Sequence, residues 1–367
     1  MSKIDIGLIL GKSFTVIKKQ PFILIPFLIL AFLSAGFTIL TFSYTAEMMY
    51  AFESFSGYEY GYEMYSPNAL EELAALFFGM GKLFIFLITG SLILWLIQIL
   101  LYTGTVSVVM DVLEGRETGI GSFINVTIFK GITALLSTLI AYIVVFFPCA
   151  IGIFIFLIGL LRMSESAFFI SAVFFIIQFL WLLAILYLLS SKIPRIIYII
   201  ITAITFAFVI LGIFFMPLLI IALLPLFLLF ILVMISMLII SFAIDYIIPS
   251  AVVIDNSGAT DALKKSYLFA KNHTINSGLL IFIAIVISII IITPFEIFSV
   301  MMQAGDVMSG DFYTGEPQVY VPTTADLIIS VIETFVITGI VSPFIFLMFV
   351  LMFVNAARGK EILEKLK

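Results

Sequence analysis

Residues 249–273 read PSAVVIDNSGATDALKKSYLFAKNH, and the reading of this stretch decides the fold. It is the longest run in the C-terminal half polar enough to sit in water and fold. An apolar segment ends at its left edge and another begins at its right. Asn256, Ser257 and Gly258 make a turn. Asp261 then opens a helix where an acid suits the positive end of the dipole, and Lys271 closes it where a cation suits the negative end. Ala259, Ala262, Leu263, Ser266 and Ala270 fall on one face at helical spacing, with Lys264, Lys265 and Lys271 off it. The pattern predicts a helix lying on a membrane surface and feeding a transmembrane span.

A second copy stands at the N-terminus. Leu10, Lys12, Ser13, Phe14 and Lys18 match Leu263, Lys265, Ser266, Tyr267 and Lys271 at a single offset. GSFINVTIFKG at 121–131 is a weaker third copy. The turn before the helix recurs too, as VVMDVLEG at 108–115 and VVIDNSG at 252–258. Such repetition sets an architecture before any single motif does.

Composition names the solvent. Hydrophobic residues make up 63% of the chain and charged residues 11%, against roughly half and a quarter in soluble domains. No core hides that much apolar surface from water, so the chain belongs in lipid. One cysteine, Cys149, excludes an internal disulfide or a cysteine metal cluster, and one histidine, His273, limits metal and acid–base chemistry. No cofactor and no nucleic-acid partner is expected. The apolar run 21–44 is too long for a signal-peptide core, so no cleavable leader is expected.

Taken in order, a surface helix at 2–20, with Ser2 and Asp5 placed like a capping box, leads into a first span at 21–44. A loop rich in Glu and Tyr follows at 45–82, with a short surface helix at 70–80. Spans two, three and four are read at 83–110, 131–161 and 167–190, with 111–130 as a loop. The run 196–248 is too long for one crossing and is read as spans five and six. Span seven covers 275–298, an acidic loop 299–326 and span eight 327–354, at roughly 20 residues or more per crossing. A basic tail ends the chain.

With the N-terminus in the cytoplasm, all but two of the 17 Lys and Arg residues, Lys82 and Arg162, fall on the cytoplasmic side. This positive-inside pattern predicts an even number of spans with both termini inside a plasma-membrane protein. The expected fold is one all-α membrane domain over 1–367, about eight transmembrane helices with amphipathic helices on the cytoplasmic surface. Repeat A (1–110) and repeat B (249–367) have the same orientation around central helices 111–248, so they are parallel repeats.

The elements P-S-x-V-V-x-D, G, A-L-K-K-S-Y and K between Pro249 and Lys271 resemble the signature of an uncharacterised polytopic membrane family, similar to the membrane domain fused to some glycerophosphoryl diester phosphodiesterases. The N-terminal surface helix running into a proline-started span is similar to that family as well. The resemblance implies a membrane fold and supplies no catalytic residues. These 367 residues hold no soluble phosphodiesterase domain, so that activity does not carry over.

The candidate residues fall in two groups. Lys12, Lys18, Lys265 and Lys271 suit anionic headgroups, and Ser13 and Ser266 can donate to phosphate or cap a neighbouring helix. The competing reading is a generic surface helix whose lysines set topology. Glu333, Glu296, Gln98 and Gln178 form a candidate intramembrane polar set. Glu333 is foremost, because a carboxyl two turns inside a span is expensive unless paired, protonated or wet; it is expected to pair with Lys82 or Arg162 or to be neutral and hydrogen-bonded to a neighbouring span, and the competing reading is a carboxyl that reaches the outer surface. Gln98 and Gln178 suit hydrogen bonds between helices. Asp245 near a span end is expected to reach the surface. GLILGKS at 7–13 falls one residue short of a phosphate-binding loop and lacks the strand before it. No HExxH, GxSxG or intramembrane aspartate pair occurs. The expectation is a non-enzymatic membrane protein that organises or binds lipids or a membrane protein partner; the alternative is a small-solute or ion transporter or channel with a site near Glu333.

Overall fold

The structure is a computed structural model describing residues 4–56, 67–162, 165–189, 196, 199–200, 203, 237–238, 240–309 and 323–365. Among them every regular element is helical and there is no strand. The helices are α1 (Ile6–Lys19), α2 (Ile25–Ser56), α3 (Pro67–Glu114), α4 (Ile120–Arg162), α5 (Glu165–Leu189), α6 (Ile248–Ile254), α7 (Ala259–Ser309), α8 (Thr324–Val336), α9 (Ser342–Arg358) and α10 (Glu361–Glu364). A 3-10 turn, Pro21–Leu24, leads into α2; π-helical turns at Ala243–Ile247 and Ile337–Val341 precede α6 and join α8 to α9. Among the described residues five segments are long and apolar enough to cross a membrane: Pro21–Met49, Phe78–Glu114, Ile120–Phe156, Ala259–Phe298 and Thr324–Arg358. A chain built this way satisfies its backbone inside helices, as lipid demands, and is an all-α membrane protein. α5 is a further apolar helix of 25 residues. Of the run read as spans five and six, all but 196, 199–200, 203, 237–238 and 240–248 lies outside the described residues.

Several boundaries differ from the sequence reading. α1 is capped by Asp5, whose carboxylate accepts from the Leu8 N–H at 3.0 Å, so the cap is Asp5 itself. The stretch 70–80 is no separate surface helix but part of α3, which at 48 residues is about 72 Å long and outruns a hydrocarbon core of about 30 Å. Pro67 starts it, at a position where a missing N–H costs nothing. The third copy at 121–131 runs without a break into the rest of α4, because nothing at Gly131 interrupts the helix. Residues 249–252 and 254, read as the start of a solvated stretch, are buried. Asp326, read as the end of an acidic loop, closes a capping box with Thr323 at the start of α8.

The chain forms two compact units, 1–12 with 102–282 and 348–367, and 13–101 with 283–347. In the second, α2 meets α8 through a Thr38–Thr334 hydroxyl pair at 3.2 Å and an edge-to-face contact of Phe32 with Phe335. Gly339 lets Leu28 and Ala31 approach its backbone. Phe37 stacks on Phe86 and fills the space where Gly90 has no side chain.

In the first unit, α4 and α5 pack as a pair. The buried stripe of α4 is Gly131, Ala134, Ser137, Ala141, Val145, Pro148 and Gly152; small residues at helical spacing let helix backbones approach in lipid, where dispersion rather than water exclusion drives association. Gly104 of α3 receives Thr127 and Phe123 of α4 in the same way. Tyr246 joins an aromatic cluster with Tyr102, Phe242 and Phe349.

Candidate functional site

The surface helix that opened the sequence reading occupies the first part of α7. It ends in a break at His273, whose φ of −122° and ψ of 22° are not helical. At the N-terminus the break between α1 and the first span falls at Gln20, with φ −134° and ψ 80°. These two positions stand at the same offset as the five matched residues. Burial follows the same register: Ile9, Ser13 and Val16 are buried, and so are Ala262, Ser266 and Phe269.

The six predicted headgroup contacts divide. Ser13 and Ser266 are buried, and the Ser266 hydroxyl donates to the Ala243 carbonyl at 2.9 Å, the first residue of a π turn. Of the two roles expected for it, Ser266 serves the neighbouring helix. Lys265 turns back on the preceding loop, donating to Asp255 at 2.8 Å and Ser257 at 2.9 Å. Asn256 within that loop sits at φ 51°, a left-handed conformation that Asn tolerates. Lys271 lies 5.6 Å from the Tyr267 ring. Lys12 is half-buried and Lys18 exposed.

Beneath this helix the first unit holds a crevice of about 400 Å³. Its walls are aliphatic: Ala141 and Val144 from α4, Ile185 from α5, and Ile240 and Ile244 before α6. A stripe of α7 completes it, polar at one end through Thr260, Lys264 and Tyr267 and apolar at the other through Ala270. Lys264 is exposed and makes no ion pair with a described residue.

Next to the crevice wall, Asp245 is half-buried rather than at the surface. Tyr142 donates to its carboxylate, 3.0 Å from each oxygen, and the Ser241 hydroxyl lies 3.5 Å from one of them. Sequence spacing does not point to Tyr142, because its partner is 103 residues away.

Of the intramembrane polar set, Gln178 lies in the first unit and Gln98, Glu296 and Glu333 in the second. Gln178 serves a proline. Pro148 has no N–H, so the Val144 carbonyl four residues earlier loses its helical donor, and the ring disturbs the next peptide pair. Trp181 donates to the Val144 carbonyl at 2.8 Å; Gln178 donates to the Val145 carbonyl at 3.0 Å and accepts from the Cys149 N–H at 2.9 Å. α5 thus supplies the hydrogen bonds that Pro148 removes from α4. Glu333 and Glu296 belong to the second unit. No ion pair joins Glu333 to Lys82, and the Arg162 side chain lies outside the described residues. Gln98, in the same unit, is half-buried.

A polar cleft of about 300 Å³ in the first unit went unnoticed in the sequence. Lys130 donates to the Val253 carbonyl at 3.2 Å and Arg358 to the Ile254 carbonyl at 3.1 Å, so two cations meet the exposed carbonyls ending α6. Arg358 also holds Glu114 at 2.7 Å, and Arg116 pairs with Asp111 and Glu114. These contacts tie the loop after α3, the end of α6 and the end of α9 together. Among the described residues no three His, Cys, Asp or Glu side chains converge as metal ligands.

No family model, curated protein or solved structure matches this chain.

Proposed function

We propose that this is a non-enzymatic polytopic protein of the plasma membrane that binds and organises lipids from its cytoplasmic face. The reading takes the chain as about eight spans with both termini cytoplasmic and as two parallel repeats, in line with its resemblance to the membrane domain fused to some glycerophosphoryl diester phosphodiesterases. The observation that carries it is the repeated surface helix. Two helices end in a break at the same offset and bury the same positions, so two cationic elements stand where a chain enters the headgroup plane. Extraction of the protein with its surrounding bilayer, followed by lipid analysis, tests it. The lipid held by the protein should be enriched in anionic phospholipid over the bulk membrane by at least twofold. A composition equal to the bulk overturns the reading.

A transporter or channel is the second reading, favoured by Glu333, a carboxyl inside an apolar span. Such a group is costly unless it meets a proton, a cation or water, which suits a proton or cation path. Flux of protons or monovalent cations into proteoliposomes, abolished by Glu333→Gln, would support it over the first.

A further inference from the structure

We propose that the crevice beneath α7 is a site for one anionic phospholipid of the cytoplasmic leaflet, with an acyl chain between the aliphatic walls and the phosphate on Lys264. The proposal rests on the lipid-binding reading and gives it a place and a lipid class.

Three observations carry it. The first is the division of the lining. Ala141, Val144, Ile185, Ile240 and Ile244 offer carbon only, which suits a hydrocarbon chain and nothing polar. The polar groups gather at one end of the α7 stripe. Thr260, Lys264 and Tyr267 are spaced at four and three residues, which places them on one face. This is the polarity of a phospholipid, with its charge at the interface and its chain below.

The second is the state of the cations. Lys265 is engaged by Asp255 and Ser257, and Lys271 lies over Tyr267. Lys264 pairs with no described acid, Asp261 one turn before it included. An exposed ammonium at the mouth of an apolar crevice is complementary to a lipid phosphate, and the hydroxyls of Thr260 and Tyr267 can donate to the same group.

The third comes from the repeat. Lys265 and Lys271 have counterparts in Lys12 and Lys18, as expected of lysines that set topology. The positions equivalent to Thr260, Lys264 and Tyr267 at the N-terminus are Gly7, Gly11 and Phe14. The polar rim therefore belongs to one copy alone. A lysine that only fixed orientation would not need two hydroxyl-bearing neighbours that its counterpart lacks. One site per chain follows.

The test uses the full chain in nanodiscs of equal phosphatidylglycerol and phosphatidylcholine, washed with mild detergent and weighed by native mass spectrometry. Wild type should keep one phosphatidylglycerol per chain. Lys264→Ala should reduce the preference for phosphatidylglycerol roughly fivefold, the factor that one cation near an anionic surface supplies. Lys264→Arg should restore it. Val144→Phe, at a crevice position half exposed and so open to a larger side chain, should expel the lipid whatever its headgroup. If wild type keeps phosphatidylglycerol but Lys264→Ala and Val144→Phe keep it equally, the crevice is overturned while the lipid-binding reading stands. If wild type shows no preference, both fall.

Discussion

The mended proline of α4 yields a quantitative prediction. Gln178→Leu keeps the side-chain volume within α5 and removes one donor and one acceptor, those on the Val145 carbonyl and the Cys149 N–H. Hydrogen bonds between membrane helices average about 0.6 kcal/mol and reach about 1.7. Two of them make the expected loss about 1 to 3 kcal/mol, toward the upper end because the backbone groups left behind face hydrocarbon. Trp181→Phe, which removes one bond to the Val144 carbonyl, should cost about 0.5 to 1.5 kcal/mol. The decisive variant is Pro148→Ala. It returns an N–H to the helix, so the Val144 and Val145 carbonyls and the Cys149 N–H regain partners within α4. In that background Gln178→Leu should lose most of its cost, giving a coupling of about 1 kcal/mol or more. Reversible unfolding in mixed micelles, read by steric trapping or circular dichroism, measures all four corners of the cycle. Additivity within about 0.3 to 0.5 kcal/mol is what independent sites show, and that result would refute the claim that Gln178 exists to serve the proline.

Gly104→Val should destabilise by about 1 to 3 kcal/mol, since a side chain there runs into Thr127 and Phe123, whereas Gly36→Ala, with open space around it, should leave the melting temperature within a degree or two. Cysteines placed at Ser56 and Ser309 should react with an impermeant thiol reagent in intact cells and one at Ser257 should not; labelling at Ser257 from outside would remove the proposed orientation. Asp245→Asn should destabilise by about 1 to 3 kcal/mol in a thermal melt, because it weakens both contacts of Tyr142 to a charged acceptor. Glu333→Gln should instead leave stability unchanged, since no described residue pairs with its carboxylate; a loss as large as that of Asp245→Asn would show that Glu333 holds a favourable partner.

What could be read in the chain followed from local physics. Apolar runs named the helices because lipid leaves no other way to satisfy a backbone, and the helix that starts at Ala259 could be placed because Asp261, Lys271 and the lysines between them act within a few turns. Its end at His273 was visible as the point where polar spacing gives way to an apolar run. Helix ends were legible only where a breaker stands. Gly258 marks one, whereas Pro67 starts α3 inside a run read as loop, and α3 and α4 run past the edges of their apolar windows because nothing in 70–80 or at Gly131 stops a helix. A hydropathy reading ends a span where the membrane ends, and a helix continues until its hydrogen bonds are interrupted.

The site was hidden for a different reason. The contacts behind the crevice wall and around the polar cleft join residues far apart in the chain: Tyr142 with Asp245, Lys130 with Val253, Arg358 with Glu114. Periodicity cannot pair them, and cost alone ranks carboxyls wrongly. Glu333 drew attention because it stood deep in an apolar run with no cation near. Asp245 stood close to a span end and looked able to escape. In the folded chain it is Asp245 that the protein provides for, with a tyrosine hydroxyl set across both oxygens, while Glu333 makes no ion pair with a described residue. A buried charge is held where donors have been built around it. An acid that pairs with no described cation is instead open to a proton or a counter-ion, which is why Glu333 is the residue whose substitution tests the transporter reading against the lipid-binding one.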